Sequence, residues 1–182
     1  MKIMPKSEYI PWLPVDLTWQ KAAFGAFSIP SNVMIIPSMF QQGYNTPLDA
    51  HKPGLVKPVK GDGNCLFRSF SYVITGSEEH HLAIRHWVCE YINLYREKIE
   101  KFSGKQNYVS VSKMAKPGVW GTDIEIMAVD TNVYTYTKHG SSQCWLKLSK
   151  SALGTPSLIR NKSDRQIYLY HSGSHFEPTV SI

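Results

Sequence analysis

The chain has 182 residues, enough for one domain with a real hydrophobic core and too few for two. An apolar share of 42% and a charged share of 19% are those of an ordinary globular protein. No apolar run approaches the roughly 20 residues needed to span a bilayer, so a membrane partner is not expected. A net charge of +6 raises the question of nucleic acid, but the basic residues are scattered apart from a loose cluster from Arg96 to Lys116. No basic stripe carries stacking aromatics in register, which argues against nucleic acid as the main partner.

The first residues, Met-Lys-Ile-Met-Pro-Lys, have no apolar stretch behind their charge, so no secretory signal is expected. Residues 1–54 are rich in proline and turn formers, yet Trp12, Trp19, Phe24, Phe27 and Phe40 speak against disorder. This segment reads as an extension packed on a domain over residues 55–182. Within it, residues 17–29 read as a short helix or strand.

The pattern sharpens after Asp62-Gly63-Asn64. Leu66, Phe67, Phe70, Val73 and Ile74 fall at helical spacing, and Gly76 is placed to close that helix in the left-handed conformation. Ser77 then offers an N-cap with Glu78 and Glu79 in the dipole-favoured first turn. Ile84, Val88, Tyr91, Ile92, Tyr95, Ile99 and Phe102 predict one amphipathic helix of about 22–25 residues ending near Gly104. Thr122 and Glu125 form a capping box before a short helix. Residues 132–137, 143–148 and 166–171 alternate in β-branched and aromatic residues and read as strands. Helices followed by strands around one core predict an α/β (α+β) domain, a small and mostly antiparallel sheet flanked by helices.

Three cysteines, Cys65, Cys89 and Cys144, make an odd, low count with no Cys-x-x-Cys pair. That fits neither a disulfide framework nor a structural zinc site, and it fits a reducing, cytoplasmic setting. Cys89 and Cys144 lie mid-helix and mid-strand and read as structural. Cys65 falls where a helix begins, after two glycines that permit a tight turn. A thiol there gains thiolate character from the helix dipole, and the free N–H groups can form an oxyanion hole. The alternative is that Cys65 is a small buried hydrophobe, the usual fate of a free cysteine. His175 follows an apolar strand and a Gly-Ser turn, from which it can project into a cleft as a general base. By spacing alone it is not separable from His171.

The run from Gly61 to Ser69, continuing to His81, closely resembles the nucleophile region of the ovarian-tumour (OTU) family of cysteine proteases. Val119 to Ile126 is similar to that family's Trp-Gly-x-x-x-Glu block. Residues 167–170, followed by His175-Phe176, are similar to its closing strand and histidine. The resemblance implies an OTU-type, papain-like fold and a deubiquitinase needing no metal or organic cofactor, with Cys65 as nucleophile and His175 as general base. It implies a monomer acting on ubiquitin or polyubiquitin chains. The same resemblance leaves open a protease for a polyprotein or ubiquitin-like modifier, or a silent ubiquitin-binding module. Asp62, three residues before the nucleophile, matches a position often assigned to the catalytic site. Glu177 stands where the family commonly has Asp or Asn, so either carboxylate is a candidate to orient His175. Trp120, Gly121, Asp123, Glu125 and Asn64 are the candidate substrate contacts. Glu78 and Glu79 are further candidate partners for basic residues in a narrow, partly acidic groove.

Overall fold

The computed structural model describes residues 2–3, 9–37, 39–42, 47–129, 132–156, 159 and 164–182. In chain order the elements are strand β1 (Lys2–Ile3), helix α1 (Leu17–Ala26), strand β2 (Leu55–Val56), and helices α2 (Cys65–Thr75) and α3 (His81–Leu94). Three short helices follow, α4 (Arg96–Ser103), α5 (Tyr108–Ser112) and α6 (Asp123–Ala128). The chain closes with strands β3 (Val133–His139), β4 (Ser142–Leu148), β5 (Ile167–His171) and β6 (Phe176–Ser181). The sheet order is β1-β4-β3-β5-β6-β2, and only the β3/β5 pair is parallel among the described strands. The fold is therefore mixed α/β around a mostly antiparallel sheet, as the pattern of elements predicts.

Alternation along the strands divides the sheet into two faces. Val133, Leu148, Ile167, Leu169 and Val180 join the main core with the helices. Tyr134, Tyr136, Trp145 and Tyr168 form a second, aromatic core with Ile10, Trp12 and Leu48. Here Ile10, Trp12 and Leu48 of the N-terminal segment find their place. Trp12 packs on Tyr168 with ring centroids 4.1 Å apart, and its Nε1 donates to the Gln41 carbonyl at 2.7 Å. The Tyr168 hydroxyl accepts from Leu13 N at 2.9 Å and donates to the Pro11 carbonyl at 3.1 Å. Such polar tips make an aromatic face specific in register as well as apolar.

Residues 17–29 resolve into helix α1, capped by Asp16, whose Oδ1 accepts from Trp19 N at 2.9 Å. Trp19, Ala23 and Phe27 are buried in the main core beside α2. Helix α2 is buried on almost every side, with Phe67, Phe70 and Ile74 fully enclosed. Removing one such phenylalanine costs about 3–5 kcal/mol. This burial is what fixes the start of the helix in space.

The single long helix expected from Ser77 to Gly104 is not formed. A 3₁₀ turn at Glu78–His80 precedes α3, and the chain breaks at Tyr95 (φ −106°, ψ 30°) before α4. Apolar spacing runs unbroken through Ile92, Tyr95 and Ile99, so periodicity cannot register the break. Tertiary contacts favour it: Tyr95 packs on Tyr91 with centroids 4.8 Å apart, the Tyr91 hydroxyl donates to the Pro156 carbonyl, and Ile99 reaches the core.

Gly76 closes α2 in the left-handed region at φ 78°, and a Cβ there would lie 2.2 Å from the Ile36 carbonyl oxygen. The Ile36 N–H in turn donates to the Thr75 carbonyl at 2.8 Å, so the N-terminal segment is seated on this cap. Gly76→Ala is expected to destabilise the fold by about 2–3 kcal/mol, combining left-handed strain with a backbone clash. A melting temperature lowered by roughly 4–12 °C in calorimetry would register it.

Candidate active site

Cys65 is the first residue of α2, and the first-turn N–H groups of a helix have no carbonyl one turn back. It is 6% exposed and stands where two depressions meet. The smaller, of about 280 Å³, is lined by Gly61, Gly63, Cys65, Trp120, Ser174 and His175. The structure thus brings the predicted nucleophile and base to one cleft. His175 ends the turn between β5 and β6, which Ser172 N closes by donating to the His175 carbonyl at 3.1 Å. The Nδ1–Cε1 edge of its ring faces Gly61, where a Cβ would sit 3.7 Å from Cε1. Ser69, one helical turn after Cys65, donates its hydroxyl to the Phe176 carbonyl at 3.1 Å and so ties the histidine turn to the nucleophile helix.

The two candidate carboxylates have separate employments. Asp62 Oδ1 accepts from Asn64 N at 3.1 Å and Arg68 Nε at 3.1 Å, while Oδ2 accepts from Arg68 Nη2 at 2.7 Å. The bidentate arginine holds the Asp62 carboxyl well below the usual carboxylate range. Asp62 therefore shapes the nucleophile loop, its carboxylate committed to Arg68 and to Asn64 N. Glu177 Oε1 lies 3.6 Å from His175 Nε2, in ion-pair rather than hydrogen-bond range.

The loop before Cys65 is locked against residues 114–121. Gly63 takes φ 81°, and a Cβ on it would lie 2.1 Å from the Gly118 carbonyl oxygen. Asn64 Oδ1 accepts from Gly118 N at 2.8 Å and from Arg85 Nη2 at 2.9 Å. A Cβ on Gly121 would fall 2.4 Å from a Leu66 methyl, so this backbone lies tight on the start of α2.

A groove of about 460 Å³ leads away from Cys65 between the 120–123 segment and the helix-side face of β3, β4 and β5. Trp120, Gly121 and Asp123, three of the candidate substrate contacts, line it, and Trp120 is 62% exposed. Two predicted contacts are elsewhere. Asn64 is buried and committed to Arg85 and Gly118. Glu125 is 0% exposed and completes the capping box, its Oε2 accepting from Thr122 N at 2.7 Å. Burial pushes the Glu125 carboxyl up. Glu78 Oε2 accepts from Lys60 N at 3.0 Å and lies 3.8 Å from Arg68 Nη1, so it braces the nucleophile loop. The groove is accordingly less acidic than expected: Asp123 is its lining carboxylate, set against Lys138, His139 and His171.

Three residues have places at the site that the sequence alone did not assign. His171 stacks on Phe176 with centroids 4.1 Å apart, its Nδ1 lies 3.2 Å from Thr137 Oγ1, and it forms part of the groove floor. Arg85 lay in view as a charge on the apolar stripe of α3, three residues before Val88 and seven before Ile92. Ser69 carried no signal of its own. Cys89 is buried, and burial pushes its thiol up to about 11, consistent with a structural cysteine.

A cysteine at a helix start, a histidine across a cleft and an adjoining groove define a thiol hydrolase site of the papain type. Residues 60–176 match the family of OTU-like cysteine proteases, and the chain belongs to that family. OTU domain-containing protein 4 of mouse and of human are each 33% identical to it over 87 residues, covering 46% of this chain. The match spans only 8% of those relatives' length. Similar solved structures include the viral OTU domain protease of Qalyub virus, 14% identical over 70% of this chain and 84% of that one, at a TM-score of 0.53. An OTU domain in complex with ubiquitin is 22% identical over 68% of this chain and 67% of that one, at a TM-score of 0.51. The Hazara virus OTU bound to ubiquitin is 18% identical over 68% and 79%, at a TM-score of 0.50.

A raised carboxyl favours its proton in the folded state, so ionisation of Glu125 opposes folding as pH climbs above the ordinary carboxylate range. Glu125→Gln keeps an acceptor for Thr122 N and removes that penalty, whereas Glu125→Ala loses the cap, at a cost of about 1–2 kcal/mol. In urea melts, Glu125→Gln is expected to gain on wild type between pH 4.5 and 7.5, and Glu125→Ala to fall below it at both.

Proposed function

We propose that this protein is a thiol-dependent deubiquitinase that hydrolyses isopeptide bonds at the ubiquitin C-terminus. The observation that carries the reading is the cleft shared by Cys65 and His175, opening into a groove between Trp120–Gly121 and the sheet. Cleft and groove together suit an extended chain ending in small residues, because Gly61 and Gly63 in the cleft and Gly121 and Gly173 in the groove contribute backbone without side chains. Ubiquitin ends in two glycines, and similar OTU domains are described with ubiquitin bound.

In this mechanism His175 takes the Cys65 proton, and the thiolate attacks the carbonyl carbon of the terminal glycine. The oxyanion forms against the first-turn N–H of α2 and the 61–64 loop, groups already oriented before reaction. Collapse breaks the C–N bond as His175 returns the proton to the departing lysine amine, leaving a thioester on Cys65. Water then gives its proton to His175 and attacks the thioester, releasing the carboxylate and restoring the thiol. Glu177 stabilises the imidazolium, the state in which its 3.6 Å contact becomes an ion pair. Asp62 holds the loop through Arg68.

Labelling by ubiquitin bearing a thiol-reactive C-terminus tests the reading. Wild type is expected to form a covalent adduct and Cys65→Ala none. His175→Ala should react about 100-fold or more slowly, the usual loss with a general base. Failure of folded wild-type protein to label would overturn ubiquitin as substrate, and adducts with a ubiquitin-like modifier alone would redirect the assignment. Glu177→Gln is expected to slow labelling by about tenfold without altering the melting temperature, since an orienting group contributes less than the pair it serves.

A further inference from the structure

A buried arginine stands behind the nucleophile loop. Arg85, on α3, is 1% exposed. Its Nη1 donates to the Met114 carbonyl at 2.8 Å. Its Nη2 donates to Asn64 Oδ1 at 2.9 Å and the Val119 carbonyl at 2.8 Å, with the Gly63 carbonyl at 3.5 Å. The guanidinium carbon lies 4.0 Å from the centre of the Phe67 ring, on the helix that starts at Cys65. These oxygen acceptors are all neutral, and among the described residues no carboxylate forms an ion pair with it. An arginine keeps its proton in proteins, so a full positive charge is buried here without a counterion in contact.

We propose that Arg85 is the positioning residue of this site. It holds the nucleophile loop and the 114–119 wall in one register, and it lends its charge to the Cys65 thiolate through that loop.

Two features support the second half of this assignment. The residue that grips the guanidinium, Asn64, immediately precedes Cys65. The other arginine nearby, Arg68, is already neutralised by Asp62. Around Arg85 the remaining titratable groups are Cys89 and His81 on its own helix, Glu125 on α6 and Asp62 in the nucleophile loop; burial pushes Cys89, His81 and Glu125 toward their neutral forms, and Asp62 is committed to Arg68. Around Cys65 they are His175 from the β5–β6 turn, Asp123 from α6, and His171, Lys138 and His139 from the sheet. A thiolate or oxyanion at Cys65 thus forms one residue from the Asn64 that holds this guanidinium, a charge with no ion-pair partner among the described residues. In a dry interior such a charge acts over a longer range than in water.

The inference rests on the thiol-protease reading, but its first readout requires no ubiquitin. The rate of iodoacetamide alkylation at Cys65, followed by peptide mass across pH, gives the midpoint for thiolate formation. Arg85→Gln is expected to move that midpoint up by about one pH unit, roughly a tenfold loss of thiolate at neutral pH. Arg85→Lys keeps the charge but lacks the fork that spans Met114, Asn64 and Val119. It should hold the wild-type midpoint while losing several-fold in ubiquitin-probe labelling, through the loosened loop. A folded Arg85→Gln with an unmoved midpoint would falsify the proposal. Should Arg85→Gln fail to fold, Arg85→Lys decides alone: a midpoint shifted up, or labelling unchanged, overturns it. If wild type shows no ubiquitin labelling while the midpoint shift stands, the substrate assignment fails and the role of Arg85 survives.

Discussion

Arg85 carries a positive charge into the interior, and the loops of the site are laid out to solvate it. Moving a guanidinium out of water costs several kcal/mol unless its donors are met. Its two Nη groups are met by carbonyls from Gly63, Met114 and Val119 and by the amide oxygen of Asn64, which come from two separate stretches of chain, while Nε is buried without a hydrogen-bond partner among the described residues. Satisfying one side chain therefore joins the nucleophile loop to the wall that carries Trp120 and Gly121. Gly63 and Gly118 cross so closely at that join that a side chain on Gly63 would not fit.

Helix α2 transmits this arrangement to the rest of the fold. It is packed by α1 on one side and by α3 and β6 on others, so its first residue cannot shift without disturbing the main core. Ser69 then fastens the β5–β6 turn to the same helix, which sets His175 relative to Cys65. The sheet serves both of its faces. One holds the aromatic cluster that Ile10, Trp12 and Leu48 join, and the other is core at one end and groove at the other.

The acidic residues near the site show how environment divides similar groups. Asp62, gripped by Arg68, is held as a carboxylate and organises backbone. Glu125, enclosed with its cap, is pushed toward its neutral form. Glu177, partly exposed beside His175, is the one placed to answer an imidazolium. Sequence distance from the nucleophile would have ranked them differently.

Much of this was legible from local pattern. The helix opening at Cys65, the left-handed stop at Gly76, the Thr122–Glu125 capping box and three of the strands follow from periodicity and capping chemistry, which act within a few residues. The Asp62-to-Ser69 block pointed to the nucleophile, and its resemblance to a known family singled out His175 from the other histidines. What local pattern could not supply is what depends on neighbours distant in sequence. The break at Tyr95 follows from packing against Tyr91 and Pro156. Strand β6 contains Pro178, which has no N–H for the ladder and masks its strand pattern, and its place comes from pairing with β5 and β2. The inward turn of Asn64 and Glu125, and the choice of Arg68 rather than His175 as the partner of Asp62, were decided by which donors the fold brought within hydrogen-bond reach. By itself, then, the sequence determined the elements and the chemical types at the site. The tertiary structure decided which of those groups face the groove and which are consumed in holding it, because burial and pairing are properties of the assembled neighbourhood.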